Sequence, residues 1–144
     1  MEPAFVERIA TAVTPAVLVS ACGLIALGLD NQAGRMTARV RELAREHRAL
    51  AEGHARRKLV DAQIRILLRR HNLLCWALEL DYASLLSLVG TSLLSIMTSV
   101  RLVPALSFVV AVVLLAGVAV LALASLRLSR AAIRLEAEGA LLGE

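Results

Sequence analysis

The sequence predicts an all-α integral membrane protein with three transmembrane helices and a cytoplasmic helical hairpin between the first and the second. Of its 144 residues, 58 % are hydrophobic and 3 % aromatic, and its mean hydropathy is +0.72. This composition is typical of membrane proteins. Three apolar segments, residues 9–29, 82–100 and 104–126, each have about the 20 residues that a helix needs to cross a bilayer.

These segments and the charges between them divide the chain into four parts. We expect an N-terminal segment with the first transmembrane helix in residues 1–33, and the basic hairpin in residues 34–72. The second and third transmembrane helices then occupy residues 73–126, and a cytoplasmic C-terminal helix occupies residues 127–144.

Small residues dominate one face of the first apolar segment. At 100° per residue, Ser20 and Gly23 share this face with Asp30. Small side chains let a second helix approach closely in lipid, so we expect this face to pack against protein. Asp30 is a candidate ion-attracting residue, and the alternative is an ion pair with a neighbouring arginine.

The segment that follows is strongly basic. Between Arg35 and His71 the sequence has eleven basic and four acidic side chains. The positive-inside rule therefore predicts that this segment is cytoplasmic, that the N-terminus is outside, and that the chain after the third helix is again cytoplasmic. We expect its arginines and lysine to contact anionic lipid headgroups, together with those after the third helix: Arg56, Arg57, Lys58, Arg69, Arg70, Arg127, Arg130 and Arg134.

Apolar residues in this basic segment recur at steps of three and four, first around Val40 and Leu43 and again from Leu59. The pattern predicts two amphipathic helices that pack as a hairpin, and one long bent helix is the alternative. Few aromatic residues are present for base stacking, so we do not expect nucleic acid as a partner. The histidine spacing does not form a local zinc pair, and we expect no metal and no cofactor.

Hydroxyl side chains form a stripe along the second apolar segment. The helical angles place on one face, with Asp81 at its cytoplasmic end, the residues Ser84, Ser87, Thr91, Ser95 and Thr98. Such hydroxyls either bond between packed helices or line a water-filled path, where Asp81 would attract cations. Residues 104–126, in contrast, are almost wholly Val, Leu and Ala, which predicts a lipid-facing helix.

Several stretches resemble a bacterial membrane family catalogued as domain of unknown function 2721. They are the segment from Thr14 through Ser20-Ala-Cys-Gly23 to Gln32, the basic run that ends at Glu46, Leu67 to His71, and Leu126 to Leu135. The resemblance covers nearly the whole chain. It implies a three-span protein of the bacterial inner membrane and supplies no activity.

Two functional hypotheses follow. The leading one is an oligomeric ion-conducting channel, with the pathway lined by the stripe or by the Ser20–Gly23 face and cations attracted by Asp81 or Asp30. The alternative is a non-conducting scaffold or accessory subunit, in which these faces pack helices and the basic hairpin docks lipid or an unidentified membrane-protein partner. Both need homo-oligomers or partners, because three helices alone do not enclose a pore. We expect no catalytic residue and no enzyme activity, since no nucleophile with a base and no phosphate-binding loop is evident.

Overall fold

The described residues form three long α-helices. A computed structural model describes residues 3–51, 55–97 and 102–141, and gives side-chain surroundings for residues 17–51, 56–95, 97 and 102–130. Helix α1 is Pro3–Ala49, α2 is Ala55–Met97 and α3 is Leu102–Leu141. All three are long and apolar enough to cross a bilayer. The prediction of an all-helical chain with three such helices is confirmed.

Each helix is longer than the apolar segment that it contains. Helix α1 has 47 residues, which is about 70 Å at 1.5 Å per residue, more than twice the ~30 Å hydrocarbon core of a bilayer. It runs without interruption through residue 15, a Pro, which is a residue that can kink a helix, and through the polar residues 30–32. The first and second apolar segments are therefore each part of a single helix that also includes part of the basic segment.

The chain divides into two compact units, and each helix contributes to both. The first unit contains the chain up to Gly28 together with Leu78–Ala119. Its core is a cluster of three fully buried residues, one from each helix: Cys22, Leu88 and Ala111. Because Cys and Ala are small, the three helices approach closely at this point. Larger apolar side chains cover the cluster: Leu18, Val19, Leu85, Phe108 and Leu115.

The second unit contains Leu29–Ala77 and the chain from Val120. Helix α1 ends at Ala49 and α2 begins at Ala55. Across this break, Arg56 Nε lies 2.7 Å from Glu46 Oε1, and Arg57 Nε donates to His47 Nε2 at 3.4 Å. Of the apolar positions that the three-and-four spacing singled out, Leu43 is 3 % exposed, but Leu59 is 42 % exposed, and the neighbouring Val60 is buried in its place at 3 %.

Candidate functional site

The stripe of hydroxyls lies in the first unit, and its middle part bonds to α3. Ser84 Oγ donates to the carbonyl of Ala111 at 2.9 Å, and Ser87 Oγ donates to the carbonyl of Ser107, also at 2.9 Å. Ser107 Oγ donates in return to the carbonyl of Ser87 at 3.1 Å. Three hydroxyls thus donate to the backbone of the facing helix, which favours one register of α2 against α3.

Further along α2, the hydroxyls donate to carbonyls of their own helix. Thr91 Oγ1 donates to the Ser87 carbonyl and Ser95 Oγ to the Thr91 carbonyl, each at 2.8 Å, and Ser92 Oγ donates to the Leu88 carbonyl at 3.1 Å. This i−4 bonding is the usual way in which Ser and Thr satisfy their hydroxyls in an apolar helix. Ser95 is exposed, whereas Thr91 is buried. Thr98 lies outside the described residues.

Asp81 is the most unusual side chain of this unit. It is fully buried, and neither carboxylate oxygen has a hydrogen-bond partner within the described part of the chain. Its neighbours include the thiol of Cys22 on α1, which in turn interacts with Ser84 on α2. Cys22 and Ser84 are also fully buried. Leaving a buried carboxylate without a partner is costly, and buried polar groups in proteins are almost always paired.

The other candidate residues of α1 lie on its exposed side. Ser20 and Gly23 are exposed, and a Cβ added at Gly23 would meet no atom within 4 Å. Asp30 is also exposed. The face of α1 that is buried within the chain contains Cys22 and Ala26 instead. The Ser20–Gly23 face is therefore open to lipid or to another protein.

The basic side chains predicted to contact lipid are mostly exposed. Arg70 is half-buried, and its Nε donates to Ser125 Oγ at 3.2 Å, while Ser125 is 1 % exposed. Arg57 is half-buried beside His47, and the side chain of Arg134 lies outside the described ones. The exposed members are Arg56, Lys58, Arg69, Arg127 and Arg130.

Sequence reasoning gave little weight to three residues that organise these contacts. Ser107 and Ser125 are isolated polar residues in an apolar helix, and each bonds to a specific side chain or carbonyl of α2. Cys22 was not among the candidate site residues, yet it interacts electrostatically with Asp81. A polar residue alone in an otherwise apolar span is the signal for all three, because the bilayer offers it no other partner. Among the described residues there is no group of three or more His, Cys, Asp or Glu that could hold a metal ion.

Three helices that are long and apolar enough to cross a bilayer indicate a protein of the α-helical membrane class. More specifically, the chain belongs to the family described as Protein of unknown function (DUF2721), whose model matches residues 12–135. The resemblance that the sequence motifs indicated is therefore confirmed. No curated protein and no solved structure matched the chain.

Proposed function

We propose that the protein is a membrane scaffold or accessory subunit without enzymatic activity, and that its hydroxyl stripe is a packing surface between helices. One observation supports this above the others. Ser84, Ser87 and Thr91 all donate to carbonyls of the protein, and none of the three is exposed. A hydroxyl that lines water has no need of such bonds, whereas a hydroxyl in a dry interface does.

The energies involved are modest and suit a packing role. Interhelical hydrogen bonds in membranes contribute about 0.6 kcal/mol each on average. The three bonds between the segments around Ser87 and Ser107 would together contribute roughly 2 kcal/mol on that basis. This is enough to select one register of α2 against α3, since the surrounding apolar contacts alone are not directional.

The proposed orientation places the basic segment and the C-terminal end of α3 at the cytoplasmic face of a bacterial inner membrane, with the N-terminus outside. The exposed side chains of Lys58, Arg69 and Arg127 support it, since cytoplasmic segments next to a membrane are enriched in Lys and Arg. Each such residue near an anionic leaflet contributes about 1 kcal/mol to attraction. In this proposal, residues 34–72 form a cytoplasmic hairpin that docks lipid headgroups or a membrane-protein partner.

Self-association is the second part of the proposal. The Ser20–Gly23 face is exposed, and the space beside Gly23 is open. Small residues on a lipid-exposed face let the backbone of another helix approach closely. A second copy of this chain, packed through the same face, would bury it.

Ion conduction by an oligomer remains the second candidate function, and the buried Asp81 carboxylate favours it. An ionisable side chain inside a membrane helix is by default a functional residue. Ser95, the exposed end of the described stripe, would then lie in the pathway.

Ion flux into liposomes containing the purified protein distinguishes the two functions. For a scaffold we expect the flux of Na⁺, K⁺ and protons to equal that of protein-free liposomes, with cross-linking showing that the reconstituted protein is oligomeric. Flux above that background, blocked in Thr91→Leu and retained in the lipid-exposed control Val112→Leu, would contradict the scaffold and support conduction. In a scaffold, Thr91→Leu loosens assembly and changes no flux.

A further inference from the structure

The carboxylate of Asp81 is buried, and no positive side chain among the described residues is paired with it. In α1 and α3, the residues of this unit whose side chains are described, 17–28 and 102–119, include no charged residue. The titratable group that faces Asp81 from α1 is the Cys22 thiol. On α2, the neighbouring titratable side chains Glu79 and Tyr82 are exposed. Among the side chains of this unit that the structure describes, none therefore supplies a counter-charge.

A further oxygen atom lies on the same helix face as the Asp81 carboxylate. Ser84 is one helical turn from Asp81 and fully buried, and its Oγ donates a hydrogen bond to the Ala111 carbonyl at 2.9 Å. Because a hydroxyl has one proton and two acceptor sites, Ser84 Oγ keeps the capacity to accept beside its interaction with Cys22. Two carboxylate oxygens and one hydroxyl oxygen on a single helix face form a set of hard donors, which suits a small hard cation.

We propose that Asp81 and Ser84 form a buried binding site for one monovalent cation, either a proton or an alkali-metal ion, with Cys22 closing the site from α1. Either cation would neutralise the negative charge of the carboxylate inside the helix bundle. The site lies within one chain and beside the core cluster of the first unit. It does not depend on whether the assembly is a scaffold or a conductor, since a scaffold also gains stability from a bound cation.

This site links cation concentration to the packing of the three helices. A ligand that binds only the folded state stabilises it by RT ln(1 + [L]/Kd). Removing the cation leaves a bare carboxylate next to the Cys22, Leu88 and Ala111 contact, which costs free energy in the same place where the helices meet. Cation binding would thus control how firmly α1 packs on α2.

Labelling with dicyclohexylcarbodiimide tests the site in the full-length protein reconstituted in liposomes. This apolar reagent adds to protonated carboxyl groups, and mass spectrometry locates the resulting N-acylurea. In choline buffer we expect one adduct at Asp81 and none in Asp81→Asn. If an alkali-metal ion occupies the site, the rate of labelling at Asp81 falls roughly tenfold when the Na⁺ or K⁺ concentration is ten times Kd. A rate that falls with rising pH and ignores both metals identifies a proton.

A measurement of thermal stability tests the site even if the carbodiimide does not reach Asp81. We expect the Tm of the wild type to change with pH or alkali-metal concentration, and the Tm of Asp81→Asn to change less. Glu79→Gln, which removes an exposed carboxylate two residues away, is the matched control and should respond like the wild type. The absence of an adduct at Asp81, together with identical Tm responses in all three proteins, would overturn the proposal, because the carboxylate would then take up neither a proton nor a metal ion.

Discussion

Ser84 shows how one hydroxyl in an apolar helix is satisfied by packing. Its Oγ lies 2.9 Å from the Ala111 carbonyl and is shielded from solvent by the core cluster. The Ala111 carbonyl also accepts the regular bond within α3, so it does not become an orphan when Ser84 changes. The Ser84 hydroxyl therefore adds an interhelical hydrogen bond, and removing it leaves the Ala111 carbonyl with its bond inside α3.

Ser84→Ala should lower the free energy of unfolding by about 0.6 kcal/mol, with an upper bound near 1.7 kcal/mol. The matched control is Ser92→Ala, because Ser92 bonds to Leu88 of its own helix and contributes nothing between helices. Unfolding of the protein in mixed micelles, followed by circular dichroism, measures both. Equal losses in the two variants would contradict an interhelical role for Ser84.

At the scale of the helix, Gly117 lies at a contact between α3 and a side chain of α2. A Cβ at this position would lie 3.2 Å from Leu80 Cδ1, which is tighter than an ordinary van der Waals contact. At Gly90 on α2, an added Cβ would meet nothing within 4 Å. Both glycines lie inside a helix, yet of the two only Gly117 is next to a side chain of the facing helix.

Gly117→Leu should therefore destabilise the protein by about 1–3 kcal/mol, the usual cost of overpacking an interface. Gly90→Leu should be neutral or stabilising, since Leu is about 1 kcal/mol better than Gly in a helix. The same micelle unfolding experiment measures both variants. A loss at position 90 as large as that at position 117 would show that the α2–α3 contact is not located at Gly117.

The sequence was sufficient to predict the helices but not the partners of their faces. Apolar segment length and the family motifs predicted three spanning helices, because these depend on local composition. A stripe such as Ser84 to Ser95 looks the same whether it faces water or a carbonyl, so its environment required the α3 backbone. Likewise, the small residues Ser20 and Gly23 gave no indication that Cys22 would be the α1 residue buried against Leu88 and Ala111. Asp81 was identifiable as a candidate, but its lack of a partner was not.

For the whole molecule, the distribution of charge should determine its lipid preference. Removing the exposed charges of Lys58, Arg69 and Arg127 together, each to Gln, should weaken selective binding of anionic lipid by up to about 1 kcal/mol per residue. Native mass spectrometry with mixed phosphatidylglycerol and phosphatidylcholine measures the change. A matched triple variant elsewhere, Val109, Val113 and Val120 each to Leu, should bind anionic lipid like the wild type. Unchanged selectivity in the Gln variant would contradict the proposed headgroup contact.

We propose above all that Ser84, Ser87 and Thr91 of the α2 stripe lie in a dry packing surface. A cysteine-accessibility scan from Asp81 to Ser99, in a background without Cys22 and Cys75, tests it most directly with a small water-soluble thiol reagent on protein in membranes. We predict no labelling at positions 84, 87 and 91, with strong labelling at Ala38 as an exposed control on the basic part of α1. Labelling that peaks at 84, 87, 91 and 95 would show that the stripe faces water and would contradict the account.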